Sequence, residues 1–75
     1  MSEDAANTRI RKHSMVIAGH RTSISLEDAF WLALREIANA KGASLASLIA
    51  EIDQVRGEAN LSSAIRVYVL RAATS

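Results

Sequence analysis

The sequence contains no cysteine and no proline, only three glycines, and one each of tryptophan, tyrosine and phenylalanine. Without cysteine there is no disulfide, no thiol nucleophile and no Cys-ligated zinc. The two histidines, His13 and His20, do not make a metal site by themselves, and no cofactor is expected. The lack of proline and the scarcity of glycine leave few built-in sharp turns and favour helix. Charge of one sign is also lacking. The net charge is +1, so bulk charge does not point to nucleic acid, and such an argument must rest on where the basic residues sit. No apolar run approaches the roughly 20 residues of a membrane span; Ala29-Phe30-Trp31-Leu32-Ala33-Leu34 is far too short. The N-terminus is polar and acidic, with none of the apolar stretch of a secretory signal. A cytoplasmic chain without a membrane partner is expected.

What is present is a small domain rich in alanine. The hydrophobic fraction is 49%, but small side chains yield little burial energy each. A monomer of 75 residues buries only about 60% of its unfolded surface. With disulfides and metals excluded, self-association is the remaining source of stability, and an obligate homodimer or a partnered chain is expected.

Along the chain, residues 1–13 read as a flexible arm, polar at first and then basic at Arg9, Arg11, Lys12 and His13. Residues 14–26 are β-branched and hydroxyl-rich, and Arg21-Thr22-Ser23-Ile24-Ser25-Leu26 alternates at its end. Ile24 and Leu26 point one way; Arg21, Ser23 and Ser25 point the other. A continuous strand back to Ser14 would put Met15 and Ile17 on the polar face with Arg21. A bulge near Gly19, or a tight hairpin at Gly19-His20, resolves the conflict. A helix is expected from about Glu27 to Lys41, with Phe30, Leu34, Ile37 and Ala38 on one face, Trp31 on the flank and Gly42 as its stop. A second starts at the cap Ser44, carries Leu45, Leu48, Ile49, Ile52 and Val55, and ends at Gly57. Residues 60–72 favour a third helix, capped by Asn60 or Ser62, over a strand. The expected organisation is an arm (1–13), a core domain (14–57) and a C-terminal extension packed on it (58–75).

One strand cannot satisfy its own backbone groups. Pairing with the same strand of a second chain would give a two-stranded antiparallel ribbon, which fits the major groove of B-DNA. At these residues the sequence resembles the ribbon-helix-helix family, the fold of the MetJ and Arc repressors. The resemblance rests on the strand Arg21–Leu26, the helix with Phe30, Leu34, Ile37 and Ala38, and the turn Lys41-Gly42-Ala43-Ser44. The longer pattern HSMVIAGHRTSISLEDAFW is similar to short bacterial members with an extra C-terminal segment.

The resemblance implies a mainly α homodimer joined by an intermolecular ribbon, with double-stranded DNA as partner and transcriptional repression as outcome. It implies that Arg21, Ser23 and Ser25 contact bases. It also implies that the start of the second helix, Ser44, Leu45, Ala46 and Ser47, holds a phosphate, assisted by Arg9, Arg11 and Lys12. The dimer core would comprise Ile24, Leu26, Phe30, Trp31, Leu34, Ile37, Leu48, Ile49 and Ile52.

Blander roles compete. Ser25-Leu26-Glu27-Asp28 also matches a capping box, which would give the Ser25 hydroxyl to the first helix. No nucleophile elbow, phosphate loop or His-x-x-x-His pair is present, so catalysis is not expected. The competing function is a protein-interaction module, or an antitoxin-like co-regulator that docks a partner through residues 58–75. Against it, Leu61, Ile65, Tyr68 and Leu70 are too apolar for a solvated tail.

Overall fold

In a computed structural model, which describes residues 8–74, two strands precede three helices: β1 (Ile10–Ile17), β2 (His20–Glu27), α1 (Asp28–Lys41), α2 (Leu45–Val55) and α3 (Leu61–Thr74). Residues 1–7 of the expected arm lie outside the described residues, whereas Ile10–His13 belong to β1. The basic run is therefore mostly strand. Its partner is β2 of the same chain, antiparallel, in a register that sets Ile17 opposite His20 and Ile10 opposite Glu27. The ladder continues past the strands, with the Asp28 amide donating to the Arg9 carbonyl at 2.9 Å. Within one chain, β1 supplies a backbone partner for β2.

The hairpin removes the facing conflict. The chain reverses at Ala18-Gly19, one residue before the expected Gly19-His20, with φ of 52° and 86°. Two positive φ values in a two-residue loop make a type I′ turn, whose twist matches that of the strands. Reversal there returns Met15 and Ile17 to the side of Ile24 and Leu26. Gly19 suits this conformation; Ala18 does not, because its Cβ crowds the following carbonyl. Ala18→Asn creates the Asn-Gly pair such turns prefer. It should raise stability by about 1 kcal/mol, read as a higher urea midpoint. An unchanged or lower midpoint would contradict the turn.

The first helix begins at Asp28, with Glu27 in the cap position and no side-chain bond to the cap. Ser25 lies inside β2, so the capping-box alternative is not formed. Gly42, at φ 68°, ends α1 in the left-handed conformation, and the Ala43 amide reaches back to the Ala38 carbonyl at 2.9 Å. Ser44 caps α2, its Oγ accepting from the Ser47 amide at 3.0 Å. Asn60 caps the third helix by accepting from the amides of Ser62 and Ser63 at 2.9 and 3.3 Å. Residues 61–74 are thus helix, despite the strand-like alternation of Ile65–Val69.

All five elements meet in one core. The hairpin supplies Ile17, Ile24 and Leu26; α1 supplies Trp31, Leu34 and Ala38. Leu48, Ile49 and Ile52 come from α2, and Ile65 and Val69 from α3. Of the residues expected to form a dimer core, seven are buried within a single chain, while Phe30 and Ile37 pack partly buried against them.

Candidate nucleic-acid interface

The hairpin has two unlike faces. The inner face carries His13, Met15 and Ile17 opposite Ile24, Thr22 and His20, and its centre is sealed by the core. The outer face presents three cross-strand pairs in succession from the turn: Val16 with Arg21, Ser14 with Ser23, and Lys12 with Ser25. All six are exposed except the half-buried Ser25. The hydroxyls of Ser14 and Ser23 lie 3.3 Å apart, and either can donate. Arg21, Ser23 and Ser25 therefore share the outward face, and β1 adds Lys12, Ser14 and Val16 beside them.

The other basic residues of the expected arm are placed differently. The Arg11 Nε donates to an Asp28 carboxylate oxygen at 2.9 Å, which ties Arg11 to the start of α1. The Arg11 carbonyl also accepts from the Trp31 indole N–H at 3.0 Å. Trp31 in turn packs on the His13 ring, with centroids 4.3 Å apart. Arg9 is exposed and holds the end of the ladder through its carbonyl. Of Arg9, Arg11 and Lys12, only Lys12 stands on the face with Arg21.

At the start of α2, Ser44 and Ser47 are exposed and Leu45 and Ala46 half-buried. The Ser47 amide is taken by the Ser44 hydroxyl. Leu45 and Ala46 contribute the remaining first-turn N–H groups, which point along the helix axis at its positive end. Among the described residues, no group of three or more histidine, aspartate or glutamate side chains could hold a metal ion. Nor is any helix among the described residues long and apolar enough to cross a membrane.

Two ion pairs brace the base of the hairpin. Besides Arg11–Asp28, the Arg66 Nε donates to Glu27 at 2.9 Å, joining α3 to the end of β2. Arg66 also lies over the Phe30 ring, 5.8 Å from its centroid. Local patterning could not reveal this contact, because its partners are 39 residues apart. The hydrogen bond from Arg66 holds the Glu27 carboxyl below its ordinary range, helped by a backbone N–H, and the bond from Arg11 does the same for Asp28. Both carboxyls are easier to ionise in the folded chain than in the unfolded one. Their contribution is present above the ordinary carboxylate range near 4 and is lost as pH falls through the folded values. The urea midpoint should therefore drop on acidification from about pH 5 to pH 3, and drop less in the Glu27→Gln/Asp28→Asn double variant. Equal acid sensitivity of the two proteins would show that these pairs do not couple to folding.

The fold and this face define a ribbon-helix-helix protein. The family model for the ribbon-helix-helix domain matches residues 10–73, and the chain belongs to that family. Its members are in general DNA-binding transcription regulators that bind as dimers and not enzymes. Among solved structures, the chain is similar to an uncharacterized protein from Bordetella pertussis Tohama I, at 35% identity and a TM-score of 0.80. The likeness covers 93% of this chain and 60% of that one, so this chain spans less than two thirds of that protein's length. No curated protein matches it significantly.

Proposed function

We propose that this chain binds duplex DNA sequence-specifically as a bacterial transcription regulator, laying the outer face of its ribbon in the major groove and repressing by occlusion. The observation that carries this reading is the outer face itself: a ribbon bearing Arg21, Ser23 and Ser25, which no apolar element covers among the described residues. Two strands about 4.8 Å apart fit a groove about 12 Å wide. Arg21 suits bidentate contact with guanine O6 and N7, and serine hydroxyls give a permissive readout. Leu45 and Ala46, with Ser44 and Ser47 around them, suit a backbone phosphate; Arg9 adds positive charge at the ribbon's base, where Arg11 is paired with Asp28. As is typical of the family, two copies form a homodimer, and two or more dimers occupy adjacent half-sites.

The competing role, protein docking through residues 58–75, is less well supported. The third helix already commits Ile65 and Val69 to the core. Selection of binding sites from a random duplex pool tests the proposal. An enriched motif with two-fold symmetry, bound more weakly as salt rises, is the expected result. Weak binding without enrichment would overturn it and turn attention to a protein partner.

A further inference from the structure

We propose that a cleft between the foot of the hairpin and the first helix binds a small organic monocarboxylate, a molecule with one carboxylate and an apolar or planar body. None of the residues that carry this inference stands on the outer face of the hairpin, so it is independent of the DNA reading.

The cleft has a volume of about 380 Å³ and is lined by Arg11, His13, Asp28, Trp31, Leu32 and Arg35. Small-molecule sites span about 300–1,000 Å³. Two local periods build this one. Arg11 and His13 are two residues apart on β1 and so face the same way. On α1, Asp28, then Trp31 or Leu32, then Arg35 follow at steps of three and four and share one face. The indole N–H of Trp31 donates to the Arg11 carbonyl at 3.0 Å, which fixes the two walls to each other.

The chemistry of the walls points to an anion. The Nε and Nη2 of Arg11 donate to the two oxygens of Asp28 at 2.9 and 3.5 Å. That leaves the Nη1 group of Arg11 without a hydrogen-bond partner among the described residues. Arg35 is exposed and forms no salt bridge among the described residues. Two guanidiniums against one carboxylate leave a single positive charge, which a monoanion balances. A guanidinium fork also matches the two oxygens of a carboxylate. Leu32 supplies an apolar wall, since it is 52% exposed and stands outside the core cluster. Trp31 and the tilted His13 ring, with centroids 4.3 Å apart, add aromatic surface. The Nε2 of His13 is closed off from solvent and has no hydrogen-bond partner. A buried polar atom left unpaired is uncommon, and a ligand oxygen is the kind of partner it lacks.

The test uses the full chain. Trp31 is its one tryptophan, so the emission of that ring reports on the cleft directly, and NMR of the His13 ring reports on it independently. Benzoate and hexanoate are titrated beside their uncharged amides, benzamide and hexanamide, and beside inorganic phosphate. The better of the two acids should change the Trp31 emission and shift the His13 ring signals saturably, about tenfold or more tightly than its amide or phosphate. Arg35→Gln removes a charge from the cleft without touching the core. It should weaken binding of the acid about tenfold or more, and Arg35→Lys should recover part of the loss. Circular dichroism confirms that each variant is folded. If neither acid gives a saturable response, or if amide or phosphate binds as tightly as the acid, the proposal is wrong. It is equally wrong if Arg35→Gln binds the acid as the natural protein does.

Discussion

Arg21→Ala should abolish discrimination at one base pair of the selected site, with a loss of about 1–3 kcal/mol on the matched duplex and little loss on a mismatched one. The reason is the position of the side chain. Arg21 stands on the outer face next to the turn, exposed and opposite the uncharged Val16. Among the described residues, no carboxylate forms a salt bridge with it, unlike Arg11, Arg56 and Arg66. Removing it leaves the core intact, so the melting temperature should hardly move. Binding isotherms on a set of single-substitution duplexes separate the two contributions. A uniform loss across all duplexes would make Arg21 a phosphate contact. An accompanying fall in thermal stability would make it a structural residue.

Leu48→Ala should have the largest effect on stability. Leu48 is fully buried in α2 at the centre of a core to which every element contributes. Truncating such a leucine costs about 2–5 kcal/mol, partly from lost transfer energy and partly from the cavity left behind. A domain of this size has roughly 4–11 kcal/mol in total, so the variant should be unfolded or close to it near 37 °C. The same core predicts that the melting midpoint of the natural protein varies little with protein concentration, because it closes within one chain. A midpoint that climbs steeply with concentration would mean that folding and self-association are one event. A Leu48→Ala loss below about 1 kcal/mol would mean that α2 is packed otherwise.

The parts of the fold that could be read from the sequence are those whose signal is local. Alternation in Arg21–Leu26 separates the outward Arg21, Ser23 and Ser25 from the inward Ile24 and Leu26. Gly42, Ser44 and Asn60 bound the helices because each meets a backbone requirement at its own position. The first half of β1, Ile10–His13, was hidden for a physical reason. Its inward residues begin with Arg11 and His13, which carry no apolar period. They are placed by Asp28 and Trp31, 17 and 18 residues away in sequence. A charged run of this kind reads as a solvated arm until those partners are brought to it. The sequence left a hairpin at Gly19-His20 open beside a bulge; the exact place of the turn was hidden, since Ala18 is an unfavoured residue at positive φ.

The missing strand changes both the stability argument and the interface. Without β1, neither β2 nor the core residues it covers would be closed within one chain. With β1 present, the ladder and the core close together. The outer face gains Lys12, Ser14 and Val16, so the candidate interface doubles without any new chain. Lys12 moves from the expected arm to the outer face of the hairpin. Arg11 moves from that arm into an ion pair that anchors the hairpin to α1.

The most direct test of the account is methylation interference on the selected duplex with the natural protein. One reagent methylates guanine at N7 in the major groove and adenine at N3 in the minor groove. The account predicts that N7 methylation of the guanines within the enriched motif blocks binding and that N3 methylation of its adenines does not. Blocking by adenine N3 methylation, with guanine N7 methylation tolerated, would place the protein in the minor groove and contradict the ribbon reading.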